Sequence, residues 1–263
     1  MPRHVLTHSS NRIWNIISIG DHRCYDVRAA HLLGHSLVLG AAKRGILLPD
    51  IQAGWSFDIL PTDSDVLAVY QLENVIYTGA RNGSIHRFDR RLSSRQKGQE
   101  LFRNRFTRDT RSITHISAIN EAQMLVSTVK GDLELLDLRF ARIAEPVMSF
   151  DGHVNSYTTN LGITTSPCSS YVFAAGQDQR IRAWSLLTGE LISPPLRLQQ
   201  SSNADCVSLF QHALEGPISA IQVTEGGGGG GASANGMTLW AASGKKVYRF
   251  WLGQRLDDAA LKY

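Results

Sequence analysis

Cysteine is scarce and scattered in this chain. Cys24, Cys168 and Cys206 are the only three among 263 residues. Their number is odd and none stands in C-x-x-C spacing, so neither a disulfide framework nor a zinc site is implied and a reducing compartment fits. No apolar run approaches the roughly 18 residues of a membrane-spanning helix. The opening residues MPRHVLTHSS place no apolar stretch behind their basic residues, unlike a secretory leader. The expectation is a soluble, nuclear and/or cytoplasmic protein with no membrane partner. Charge of one sign is also in short supply: 27 Lys and Arg against 23 Asp and Glu leave a net charge of +4. That excess permits acidic partners without by itself marking a nucleic-acid binder.

Catalytic signatures are missing too. Ser166, Ser169 and Ser170 stand in a turn, and no G-x-S-x-G nucleophile elbow occurs. His31 and His35 have the i, i+4 spacing of a helical metal pair, but AAHLLGHSLVLG reads as two strands about Gly34, which would part the two rings. The run from Gly226 to Gly231 meets G-x-G-x-x-G trivially; a strand rather than a helix follows it, so a flexible linker is expected. Asp257 and Asp258 lie in a polar tail. The chain is therefore expected not to be an enzyme, and to hold no cofactor, metal or small molecule.

What is present is a repeat. Phe88, Leu136 and Trp184 recur at a constant interval of 48 residues, each closing a segment of the same shape. The segments read VIYTGARNGSIHRFDRR, QMLVSTVKGDLELLDLR and YVFAAGQDQRIRAWSLL: a strand rich in β-branched or aromatic residues, a polar turn marked by Gly83, Asp132 or Asp178, and a second strand. A strand-only period in the forties is the signature of propeller blades. The fold class is accordingly all-β, a β-propeller with about five blades visible, and 43% apolar content is enough for a buried core. The propeller is expected over 1–254, with blades at about 12–60, 62–107, 111–150, 153–195 and 205–253. A Gly-rich insertion occupies 225–236, and a tail follows at 255–263. Ser112 to Ile119 carries apolar residues on both faces, as suits a strand sandwiched between blades.

The fourth blade joins Asp151-Gly152-His153, Asp178 in a tight turn and Trp184 at a strand end. This set resembles the Gly-His, turn Asp and Trp-Asp framework of WD-repeat propellers. There His153 and Asp178 would bond each other and the Trp184 indole N–H, satisfying buried polar groups between one turn and the next strand. Ser185 replaces the usual Asp after Trp184, and the other blades lack the His.

Two further features bear on partners. Phe88-Asp89-Arg90-Arg91 and Leu136-Asp137-Leu138-Arg139 set an Asp, and two residues on an Arg, at the same point of consecutive repeats. Alternation along an extended strand would bring Asp89 beside Arg91 and Asp137 beside Arg139, each carboxylate orienting a guanidinium fork on one rim of the ring. Separately, Arg87, Arg90, Arg91, Arg95, Lys97, Arg103, Arg105, Arg108 and Arg111 crowd one outer edge. Such a stripe could hold RNA or DNA phosphates, or simply blunt an edge strand with solvated charge.

The doubled D-x-R box is similar to that of the cullin-4-associated factors, the WD-repeat substrate receptors of cullin-4 RING ubiquitin ligases. From about Trp14 to Ser193 the sequence most resembles the family member numbered four, through SDVLAVYQL, IYTGARNGSIHRFDRR, KGDLELLDLR, DGHVNSY and AAGQDQRIRAWSL. It departs from the pattern in Phe88 and Leu136, which stand where Trp is usual, and in lacking early blades, since such propellers usually close with seven. The resemblance implies a non-catalytic receptor. Arg91 and Arg139 would dock on the ligase's adaptor subunit while another face, or the central channel, presents a protein substrate. A nucleic-acid-binding scaffold and a general protein scaffold are the alternative readings.

Overall fold

Strands form where apolar residues occupy both faces of an extended run, and each strand turns back on its predecessor. The computed structural model describes residues 25–52, 56–92, 98–102, 105–107, 109, 111–141, 145–193, 209–210, 212–225 and 236–254. Among these the chain builds five antiparallel sheets, each a meander in which a strand pairs with its sequence neighbour. Sheet 1 contains β1 (Ala29–Leu33), β2 (Ser36–Ala41), β3 (Arg44–Leu48) and β4 (Asp58–Pro61). Sheet 2 contains β5 (Val66–Leu72), β6 (Val75–Ala80), β7 (Ile85–Asp89) and β8 (Gln99–Leu101). In sheet 3, β9 (Ile113–Ala118), β10 (Gln123–Thr128) and β11 (Leu133–Asp137) precede the short outer strand β12 (Met148–Ser149). Sheet 4 has β13 (Ile163–Thr165), β14 (Tyr171–Ala175) and β15 (Ile181–Ser185), with a bridge from Trp184 to Leu191. Sheet 5 has β16 (Ile218–Glu225), β17 (Gly236–Ser243) and β18 (Lys246–Gln254).

The first strands of sheets 1 to 4 surround a common axis. Residues of β1, β5, β9 and β13, among them His31, Tyr70, His115 and Thr164, line an axial cavity of about 420 Å³. The sheets radiate from that axis as blades. Because side chains alternate along a strand, each middle strand divides its residues between two neighbours. On β14, Val172 and Ala174 pack with Leu125, Leu133, Leu135 and Phe150 of the preceding blade. Phe173 and Ala175 pack instead with Ile218, Ile221, Leu239 and Ala241 of the next. The same division places Ile76 in the core between sheets 1 and 2 and Tyr77 in the core between sheets 2 and 3. Four inter-blade cores thus run through the five sheets, and burying each Leu, Ile or Phe there stabilises by roughly 1.5–3 kcal/mol.

Several local expectations are corrected. Ile113 and Ile116 do not face opposite ways: a bulge in the pairing of β9 with β10 skips Thr114, and both side chains enter the same core. Opposite them Gly79 leaves no room, since a Cβ there would lie 2.8 Å from both Ile113 Cβ and Ile116 Cδ1. The repeat-equivalent turn position with positive φ is Gly83, Gly131 and then Gln179, one step away from Asp132 and Asp178. The second blade ends not in a strand but in a turn beyond β8, where Phe106 is buried. The start of the first expected blade, 12–24, the glycine run from Gly226 to Gly231 and the tail from Arg255 to Tyr263 lie outside the described residues.

Candidate docking rim

At one end of the blades the third strands finish in equivalent turns. Asp89 pairs with Val75, Asp137 with Gln123 and Ser185 with Tyr171, each opposite the start of its second strand. The following amide then returns to the preceding turn: Arg90 N donates to Asn74 O, Leu138 N to Ala122 O and Leu186 N to Ser170 O, all at 2.8 Å. Three consecutive blades therefore present the same turn on the same rim.

Asp89 and Asp137 each cap their own turn and grip an arginine. Asp89 Oδ1 accepts from the Arg91 amide at 3.0 Å and from Nε at 2.9 Å, while Oδ2 accepts from Nη2 at 2.6 Å. Asp137 repeats this with the Arg139 amide at 2.9 Å, Nε at 3.0 Å and Nη2 at 2.6 Å. The pairs form as expected, but not through strand alternation: Leu138–Phe140 is a 3-10 turn with Asp137 as its N-cap, and a carboxylate bonding an amide two residues on is a local turn device. The Arg91 guanidinium, then its amide, pulls the Asp89 carboxyl down to about 2. The Arg139 guanidinium lowers Asp137 likewise. Both carboxylates are ionised at neutral pH, and the bidentate grip fixes each fork in direction. The carboxylates are sheltered, 20% and 12% exposed, whereas the arginines are 70% and 69% exposed. Arg139 also lies over the Phe140 ring at 5.9 Å.

Two members of this row escape a motif search. In sheet 1, Asp50 Oδ1 accepts from the Gln52 amide at 2.8 Å, the bond that Asp89 makes to Arg91. In sheet 4 Ser185 Oγ accepts from the amides of Leu187 and Thr188, both at 3.2 Å, so a hydroxyl caps the turn and leucine takes the arginine's place. Positions 91, 139 and 187 keep the 48-residue interval, so Leu187 was findable by counting. Gln52 was not, because it precedes Arg91 by 39 residues.

The fourth-blade set is bonded differently from expectation. His153 does not reach Asp178. Its Nδ1 is 3.2 Å from Gly131 O and its Nε2 is 3.1 Å from Ala175 O, bridging sheets 3 and 4. Burial lowers its pKa, and a neutral imidazole has one N–H to share between those two carbonyls. Trp184 donates its indole N–H to Asp151 O at 2.9 Å and stands edge-on to the His153 ring. Asp178 accepts from Arg182 at 3.0 and 2.6 Å. His153 and Trp184 still join neighbouring blades, but through backbone carbonyls, while Asp178 is paired within its own blade.

The basic stretch is partly consumed internally. Arg105 forms a bidentate pair with Glu134 at 2.8 and 2.5 Å, and Arg111 reaches Asp109 at 2.7 Å and Asp132 at 3.0 Å. With Arg91 on Asp89, three of the five described cations of the stretch hold a carboxylate of this chain; Arg95, Lys97, Arg103 and Arg108 lie outside the described residues. His31 ends up on β1 and His35 in the turn after it. Among the described residues no cluster of three or more His, Cys, Asp or Glu could hold a metal ion.

Residues 18–220 match the family model of the DDB1- and CUL4-associated factor 4 β-propeller domain. The human DDB1- and CUL4-associated factor 4-like protein 2 is 29% identical over 162 residues, covering 60% of this chain and 39% of that protein. The bovine DDB1- and CUL4-associated factor 4 is 29% identical over 160 residues, covering 59% and 29%. The chain thus spans less than half the length of the curated relatives it matches. Among solved structures, the WD40 β-propeller domain of Doa1 superposes with a TM-score of 0.60 at 14% identity, over 89% of this chain and 64% of that one. A chain of the Mitotic Checkpoint Complex gives 0.59 at 14% identity, over 89% and 66%. Both likenesses speak to fold alone, and they make it a WD40-type propeller.

Proposed function

The chain belongs to the DDB1- and CUL4-associated factor 4 β-propeller family, and on that premise we propose that it is a non-catalytic substrate receptor of a cullin-4 RING ubiquitin ligase, working in the nucleus and/or cytoplasm. Arg91 and Arg139 dock on the ligase's DDB1 adaptor, and another face or the axial cavity presents protein substrates for ubiquitination. The observation carrying this reading is the doubled turn in which a sheltered carboxylate holds an exposed guanidinium at the same register of two adjacent blades. An arginine already held in one direction loses less side-chain entropy on docking, which favours it as an interface anchor.

The test is binding of purified DDB1 to the chain and to its Arg91→Ala/Arg139→Ala variant. Anchor residues of this kind are each worth about tenfold or more in affinity, so the double variant is expected to lose at least ~100-fold. Both side chains are exposed, so its melting should match that of the parent. Unchanged affinity would overturn the assignment, and failure of the parent to bind would leave a general protein scaffold.

A further inference from the structure

Leu187 stands at the position of Arg91 and Arg139 one blade further on, and it is 86% exposed. Its turn is built as firmly as theirs. The Leu186 amide returns to Ser170 O, Gly189 N donates to Ser185 O at 2.8 Å, and Ser185 Oγ takes the two amides between. Beside it Trp184 bridges to Leu191 and is itself fully buried. The Leu187 side chain is therefore held out into solvent from a fixed point. The other two tips are also apolar at their next residue: Leu92 follows Arg91 and is 55% exposed, and Phe140 follows Arg139 and is 56% exposed. Single exposed apolar residues are ordinary, but three at the tips of successive blades, interleaved with two held cations, are the composition of a docking surface.

We propose that Leu187 is the apolar anchor of the adaptor-docking rim, continuing the row of Arg91 and Arg139, and that it enters an apolar pocket beside the acidic groups those arginines meet. This rests on the reading given above, since it assigns the leucine to the same partner. The division of labour follows from the chemistry. Exposed cations steer encounter and lose strength with salt, whereas burying a leucine is insensitive to salt and slows dissociation.

The experiment compares Leu187→Ser, Leu187→Met and Arg91→Ala/Arg139→Ala for binding to purified DDB1 at two salt concentrations, with sizing of each chain alone. Losing the burial of one leucine, about 1.5–3 kcal/mol, converts to an affinity loss of roughly 10- to 150-fold for Leu187→Ser. The loss should lie in the dissociation rate, with the salt dependence of the parent retained, and Leu187→Met should bind nearly as the parent does. If Leu187→Ser binds like the parent while the arginine variant fails, the anchor is overturned and the receptor reading stands. If the parent does not bind, both fall together. If Leu187→Ser instead dissolves a self-associated species and leaves DDB1 affinity unchanged, the leucine belongs to contacts between copies and the proposal is overturned.

Discussion

Replacing Arg105 with Met would strip the partner from a carboxylate that water hardly reaches. The Glu134 side chain is 8% exposed and that of Arg105 19%, and the bidentate pair ties the turn after β8 in sheet 2 to β11 in sheet 3. Breaking a buried pair costs about 3–5 kcal/mol because the surviving charge is left desolvated. With a fifth of the arginine in contact with water, the low end applies, about 3 kcal/mol. At about 2–4 °C per kcal/mol for a chain of this size, melting should fall by roughly 6–12 °C. Removing both charges in Arg105→Met/Glu134→Met should restore most of the loss, to within ~1–2 kcal/mol of the parent, since no charge is then buried alone. Circular-dichroism melts and urea titrations of the four-member cycle measure this. Additive losses in the double variant, or a shift under 2 °C in the single one, would refute a charge-coupled clamp between the blades that carry Arg91 and Arg139.

Gly79→Ala should destabilise by about 1–3 kcal/mol through overpacking against Ile113 and Ile116, read as a lower urea midpoint. Trp184→Phe should cost about 2 kcal/mol, combining lost volume at a fully buried site with a carbonyl at Asp151 left without its donor; unaltered stability would remove the indole bond from the account. His115 lines the axial cavity, and enclosure by protein, then the neighbouring His153, pushes its pKa from 6.5 to about 4. The unfolded chain therefore takes up that proton first, and stability present above pH 6.5 should drain away as pH falls toward 4, by no more than roughly 3 kcal/mol. His115→Asn should flatten that part of the pH-stability curve, and an equally steep acid slope in the variant would contradict it.

The 48-residue period, the strand and turn chemistry inside it and the two Asp-x-Arg boxes are all local patterns, and the five sheets and both ion pairs are present in the structure. Local order is legible because strand alternation and turn capping act between residues that are neighbours in sequence. The period also reaches position 187, but its leucine matches no motif and gains meaning only beside two arginines on a shared rim. Contacts between blades were beyond such patterns. Nothing near His153 in the chain says that its ring meets Gly131 O and Ala175 O rather than Asp178, and nothing near Arg105 says that it reaches Glu134 rather than solvent. A bulge skipping Thr114 turned Ile113 and Ile116 into one core against Gly79, where strict alternation would have parted them. Which groups satisfy one another across blades depends on how closely the packed sheets approach, and that distance is set by the whole core rather than by any single stretch of sequence.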